Sequence, residues 1–462
     1  VDGDDGAAAT VNDDGFKPAR AERRAAPKPA RIPPGDRPTS SSGEGQTHRV
    51  VAAVWRIESA RIVAVLARML RDVGLAEELA QDTLVTALER WPRDGVPDNP
   101  AAWLTATAKN RALDELRRRA LLARKHEQIG QDIETLQQHV VMPDEAAHED
   151  DIGDDLLRLV FTACHPVLSR EARVALTLRL LGGLTTEEIA RAYLLPTATV
   201  AQRIVRAKRT LAEARVPFEV PRAAELPERL SSVLEVLYLV FNEGYSATAG
   251  DHWMRPALCE EALRLGRIVA ELVPAEPEVH GLVALMEIQA SRAAARTGPG
   301  GEPVLLLEQN RARWDHLLIR RGLAALQRAE GAGQARGPYA LQAAIAACHA
   351  RARTADETDW PGIAALYDAL AALSPSPVVE LNRAVALAMA YGPEAGLAIV
   401  EGLLDDERLA GYHLLPSVHG DLLFRLGRRE EAALAFERAA GLTRNARERE
   451  LLLGRVRACF PE

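Results

Sequence analysis

Thr199, Gln202, Arg203, Arg206 and Arg209 recur at steps of one and three positions within a single stretch of the chain. Those side chains suit hydrogen bonding to nucleic acid. Glutamine pairs with the adenine edge, and arginine with the guanine edge, in the major groove. Further basic groups neutralise phosphates and set the register of the contact. A second basic cluster lies upstream, at Lys109, Asn110, Arg111, Arg117, Arg118 and Arg119. Catalytic chemistry finds no comparable support. His252, His280, His316, His349, His413 and His419 are scattered, with no His-x3-His pair and no glycine-rich phosphate loop beside them. No catalytic residue and no cofactor is expected. The four cysteines, at 164, 259, 348 and 459, form no Cys-x2-Cys pair. Cys164-His165-Pro166 is a metal fragment without the further close ligands that structural zinc requires, so no metal is expected either.

The elements that must hold the first cluster are legible. Thr185 and Glu188 have the spacing of a capping box that opens a short helix. Ile189, Ala190 and Tyr193 face inward from it, and Leu195-Pro196 ends it. Thr197 or Thr199 is placed to cap the next helix, which carries an apolar stripe at Val200, Ile204, Ala207 and Leu211. Gln202, Arg203, Arg206 and Arg209 fall off that stripe. Two amphipathic helices joined by a tight turn, the second with a polar face, are the grammar of a helix-turn-helix.

The second cluster sits in an equally helical stretch. Leu75, Leu79, Leu84, Leu88 and Trp91 fall at helical spacing and stop at Pro92. After a short loop to Pro100, Trp103, Leu104, Ala108 and Leu113 mark the inner face of another helix. The basic residues crowd its other side. Trp103 reads as core rather than as part of a base pocket.

The composition fits these helices. Hydrophobic residues make up 47% of the 462-residue chain and aromatics only 4%, a balance that favours an all-α fold. The net charge of −8 hides strong segregation. Residues 126–155 hold ten carboxylates and no lysine or arginine, which predicts an extended or mobile linker. Residues 1–48 lack apolar periodicity and are expected to be a disordered arm. No apolar run is long enough to span a membrane, and no secretory signal is visible. A cytoplasmic protein is expected.

The boundaries that follow are an arm at 1–48, a helical domain at 49–125, the linker at 126–155, the helix-turn-helix domain at 156–216 and a helical tail at 222–462. Within the tail, Asn382-Arg383-Ala384 through Gly392, Ala395 and Ala398 resembles Asp421-Leu422-Leu423 through Gly427, Ala432, Phe436 and Ala439. The two glycines lie 35 positions apart, near the tetratricopeptide period of about 34.

Three segments together resemble extracytoplasmic-function (ECF) sigma factors. Gly74 to Thr83 followed by Trp91 is similar to the helix that binds core RNA polymerase. Ala102-Trp103-Leu104 with Ala108 to Arg111, Asp114 and Arg117-Arg118 is similar to the −10 segment. Leu184 to Ala190 with Arg206 to Arg209 is similar to the −35 reader. The tail, at Phe241 to Tyr245, Gly337 to Ile345 and Leu381 to Ala386, is similar to the tetratricopeptide-like extension of one subgroup. The resemblance implies two small helical sigma domains followed by a helical repeat domain that regulates them. It implies that Glu77, Glu78, Gln81 and Asp82 meet polymerase. It assigns Lys109, Asn110, Arg111, Arg117 and Arg118 to the −10 element, and Thr199, Gln202, Arg203, Arg206 and Arg209 to the −35 element. The acidic linker would thread a basic polymerase channel. Partners are then core polymerase, promoter DNA and a protein or peptide ligand of the repeats, with no membrane. One departure is that the recognition helix opens Thr197-Ala198-Thr199, which leaves fewer base contacts in its first turn. The alternative is a helix-turn-helix regulator steered by a helical repeat sensor. The basic helical segment at 74–118 argues against it, because such a regulator has no use for a second basic domain.

Overall fold

The chain is a stack of α-helices, as expected. The computed structural model describes residues 41–129, 149–193, 195–222, 224–247, 249–250, 252–331 and 336–460. Among these, the first lobe is α1 (Ser41–Leu70), α2 (Val73–Asp94) and α3 (Pro100–Ile129). The second is α4 (Glu149–Ala163), α5 (Arg170–Leu180), α6 (Thr186–Tyr193) and α7 (Thr197–Glu213). The tail begins with α8 (Leu226–Tyr245), α9 (Pro256–Leu272), α10 (Pro277–Ala290), α11 (His316–Gly331) and α12 (Pro338–Arg351). It ends with α13 (Trp360–Leu373), α14 (Pro377–Tyr391), α15 (Pro393–Leu403), α16 (Leu414–Arg425), α17 (Arg429–Leu442) and α18 (Ala446–Cys459).

Several boundaries differ from the sequence reading. Residues 41–48, expected in the disordered arm, extend α1 by two turns. Both ends of the expected linker are helical, since α3 runs to Ile129 and α4 starts at Glu149. The last acid of that run, Asp155, is wholly buried between Arg68 and Arg158. Its charge is compensated by these two cations, so it belongs to the core of the lobe and not to an extended linker. The remainder of the acidic run, 130–148, lies outside the described residues, as do residues 1–40. Pro92 does not stop α2 but sits in its final turn. Gly95 ends that helix with φ +89°, a conformation that costs glycine little. The buried side of α2 is Ala76, Glu77, Ala80, Thr83, Ala87 and Trp91, with the leucines flanking it. Small residues there let α1 and α2 approach closely.

One hydrophobic core runs from α1 to α10 without a break. It joins Trp55 and Leu66 of the first lobe to Leu176 and Ile204 of the second and to Leu237 and Leu265 of the tail. The packing therefore continues across Pro217 and Pro221, where the sequence marks a boundary. Trp103, half-buried against this core, meets its Trp91 edge-on at 5.5 Å.

The far end of the tail has its own core, from Leu381 to Cys459. There α14–α15 and α16–α17 repeat one pattern. Gly392 and Gly427, the matched glycines, end the first helix of each pair with φ +107° and +77°. The tail then closes on itself. β1 (Ala249–Gly250) pairs in parallel with β2 (Arg444–Asn445), and the Asn445 side-chain amide donates to the carbonyls of Ala247 and His252 at 3.0 Å each. This brings α16–α18 beside the start of the tail and next to the helix-turn-helix.

Candidate nucleic-acid interface

The helix-turn-helix forms as its sequence requires. Thr185 Oγ1 accepts from the Glu188 amide at 3.1 Å, and Glu188 Oε2 accepts from the Thr185 amide at 2.8 Å. The reciprocal pair satisfies two amide donors that a helix start otherwise leaves bare. On α7, Val200, Ile204, Ala207 and Leu211 are buried. The expected cap of α7 is absent: neither Thr197 nor Thr199 caps it. Pro196 takes the N-cap position with φ −59° and ψ 137°, and makes no side-chain cap. That register pushes Thr197 inside the first turn and past the capping site.

Thr199, Gln202, Arg206 and Arg209 are exposed on one side of α7, and Arg203 is half-buried beside them. Arg209 is held by Glu213 at 2.6 Å. Gln202, Arg203 and Arg206 therefore share a face that points away from the core.

On the first lobe the charges are partly spent internally. Arg111 donates to Thr86 Oγ1 at 2.7 Å and lies 3.6 Å from Asp82, so these two expected site residues tie α3 to α2. Arg118 and Arg119 both bind Glu115, and Arg117 binds Asp114. The hydrogen bonds from Arg118, set against a smaller desolvation cost, hold the Glu115 carboxyl below its ordinary range. Asn110, Arg117 and Arg118 are exposed, and Lys109 is half-buried. Glu78 and Asp82 are exposed on α2 and Gln81 is half-buried.

Glu77 is the exception. It was expected on the polymerase-facing surface, yet it is only 6% exposed. One oxygen accepts from Arg179 of α5 at 2.7 Å, and the other from Lys208 of α7. Burial alone would raise its pKa, but Lys208 and Arg179 together outweigh it and hold the carboxyl below its ordinary value. In this arrangement Glu77 offers no atom to an outside partner. It clasps the first lobe to the recognition helix instead.

The tail grips the second lobe in a comparably specific way. Arg229 of α8 donates to the Phe161 carbonyl at 2.8 Å, near the end of α4. Arg264 of α9 donates to the Leu181 carbonyl at 2.7 Å, at the end of α5. Arg255 donates to the Ala192 carbonyl, at the end of α6. Three successive helices thus have their C-terminal carbonyls satisfied by arginines of the tail, where a cation also meets the negative end of the helix dipole. Sequence reading missed Arg179, Lys208 and these three arginines. Lys208 sits on α7 between the apolar stripe and the exposed face, which is its only sequence signal. The others have none, because their partners are backbone groups or lie many residues away.

Cys164-His165-Pro166 ends α4. The Cys164 thiol is buried 3.3 Å from Thr177 Oγ1, and burial pushes its pKa up to about 11. His165 Nδ1 accepts from the Val167 amide at 3.1 Å. Burial, assisted by Arg229, lowers its pKa to about 4. The first contact ties the end of α4 to the middle of α5, and the second shapes the turn between them. Among the described residues no group of three His, Cys, Asp or Glu side chains is placed to hold a metal ion.

Comparison with known families matches both lobes. The model described as Sigma-70 region 2 covers residues 56–121, and that described as Sigma-70, region 4 covers residues 158–211. A sigma factor with a helical tail is the class defined by these lobes in this order. The start of the tail, residues 229–330, matches a family of unknown function (DUF6596). The uncharacterised protein R00370 of Rhizobium meliloti (strain 1021) is 45% identical over 384 residues, 83% of this chain and 89% of that protein. The ECF RNA polymerase sigma factor SigK of Mycobacterium ulcerans (strain Agy99) is 30% identical over 155 residues, 33% of this chain and 78% of that protein. No solved structure matches the chain. The chain belongs to the ECF sigma factor family. Among the described residues no helix is long and apolar enough to cross a membrane.

Proposed function

We propose that this chain joins core RNA polymerase and reads a two-part promoter, and that its tail controls when it does so. In this reading Gln202, Arg203 and Arg206 of α7, with Thr199 and Arg209 at the margins, contact the −35 element. Lys109, Asn110, Arg117 and Arg118 of α3 contact the −10 element, with Arg111 holding α3 in place from Asp82. Glu78, Gln81 and Asp82 of α2 meet the polymerase, and Glu77 joins them when the lobes part.

The observation that carries the reading is the Glu77 clasp. A −10 and a −35 element are about 25 base pairs apart, or ~85 Å at 3.4 Å per pair. Here α2 touches α7 directly through Glu77 and Lys208. Helices are about 10–12 Å wide, so the two DNA-facing surfaces are only a few helix widths apart. The described conformation is therefore a closed one, and promoter recognition requires the clasp to open. The tail favours the closed form, because its arginines hold the second lobe and its core continues into the first. The regulatory role of the tail rests on that grip.

Run-off transcription with core polymerase tests the function. The chain should direct transcripts from a defined set of promoters, and changes in either promoter element should abolish them. Tight binding to isolated duplex with no transcription from any template would overturn the reading in favour of a helix-turn-helix regulator.

A further inference from the structure

A cleft of about 720 Å³ separates the helix-turn-helix from the closing end of the tail. Its walls are α5, α6 and α7 on one side, and α8, the Gly411–Leu414 turn, β2 (Arg444–Asn445) and α18 on the other. The lining is largely apolar, from Val174, Ile189, Val200, Leu239, Leu414 and Leu442. Ligand sites for small molecules have this size and this apolar character.

The charges that face the cleft decide what fits. Arg170 is bound to Glu235 at 2.6 Å. Glu243 is engaged by Arg255, and Glu448 by His413 at 3.1 Å and Thr443 at 2.6 Å. Three charged groups remain. Glu171 lies in the first turn of α5, where its own backbone amide and the Ser169 hydroxyl, with Arg203 and Arg170 nearby, hold its carboxyl below the ordinary range. Arg203 of α7 and Arg444 of β2 line opposite walls; Arg203 forms no ion pair within 4 Å among the described residues but acts on the Glu171 carboxylate from a distance, and Arg444 is exposed. The hydroxyl of Tyr193, another lining residue, is buried without a hydrogen-bond partner. The cations not taken up in a close ion pair are thus two guanidinium groups on opposite walls, one of them sharing its field with Glu171.

We propose that this cleft binds a small organic monoanion, an apolar body bearing one carboxylate or sulfonate, held between Arg203 and Arg444. The anion takes a charge-assisted hydrogen bond from each wall, while the body covers the apolar lining. The site itself does not depend on the functional reading above. Its consequence does: Arg203 is shared with the −35 face, so a bound anion and promoter DNA compete for it.

A dye of this chemistry tests the site on the full chain. 1-Anilinonaphthalene-8-sulfonate should bind saturably at one site per chain and be displaced by decanoate. Arg444→Glu should weaken it about tenfold or more. N-phenyl-1-naphthylamine, the same body without the sulfonate, should bind Arg444→Glu as it binds the unaltered chain. Leu414→Trp, which adds bulk to the cleft from the tail side and leaves both arginines in the sequence, should exclude both dyes. The proposal is overturned if sulfonate binding is unsaturable, or if it survives both substitutions. Parallel loss of the neutral dye in Arg444→Glu would also overturn it, because charge would then not be what the site recognises.

Discussion

Glu77 shows how one carboxylate is able to set the state of a chain this long. It is buried, and both of its oxygens are used by cations from the other lobe. Removing one partner of a buried pair is costly, since the remaining charges lose their compensation; the usual loss is about 3–5 kcal/mol. Glu77→Gln leaves Arg179 and Lys208 facing a neutral amide. Its contact between the lobes should weaken by about 3 kcal/mol. Fluorophores at Val85 on α2 and Val205 on α7, both exposed, would report this as lower energy transfer at neutral pH. The pH dependence has a definite sign. The folded pKa of Glu77 lies below its ordinary value of 4.5. The clasp is therefore at full strength above that value, and is lost as pH falls through the lowered folded pKa. Energy transfer in the unaltered chain should drop on acidification into that range. Glu77→Gln should lack this step, and an identical acid transition in both proteins would show that the clasp does not hold the lobes.

Local signals decide what is legible at the scale of the element. The Thr185–Glu188 capping box and the stripe from Val200 to Leu211 act within a few residues of themselves, and both are legible in the sequence alone. Thr185→Ala removes one half of the box. It should cost about 1 kcal/mol of stability, read as a lower urea midpoint with an unchanged slope. Because the box orients α6 and touches no base, promoter selectivity should be unaltered, and a changed −35 preference would contradict this assignment. The matched glycines at 392 and 427 were legible for the same reason, since each ends a helix by its own backbone conformation. Misread features involve register or distance. The α7 cap failed by one residue because Pro196 occupies the N-cap. Asp155 reads as one acid among ten, and only the fold supplies Arg68 as its partner. The burial of Glu77 is invisible for the same reason: Lys208 lies 131 positions away. Leucines on α2 suggested its buried face, but tight packing on α1 selected the alanines.

Over the whole molecule, the closed state and the proposed open state differ by the clasp, so polymerase must supply free energy to open it. A binding-competent form that is only a small fraction of the chain lowers the apparent affinity by that fraction. Loosening the clasp should then tighten polymerase binding, provided that the altered residue does not itself touch polymerase. Glu77 fails that condition, since it is proposed to join the polymerase surface on opening. Arg179 meets it, as a residue of α5 whose guanidinium is occupied by Glu77 and by the Leu184 carbonyl at 3.2 Å. Arg179→Met keeps the aliphatic bulk and leaves Glu77 with Lys208 alone. It should raise the apparent affinity for core polymerase by about tenfold, for a clasp weakened by about 1.4 kcal/mol. Glu77→Gln should gain less, because release of the clasp is offset by loss of the contact. Equilibrium titration of labelled chain with core polymerase separates the two. If Arg179→Met binds no more tightly than the unaltered chain, the closed form does not limit assembly, and control by the tail would have to act at the −35 face through the cleft and Arg203.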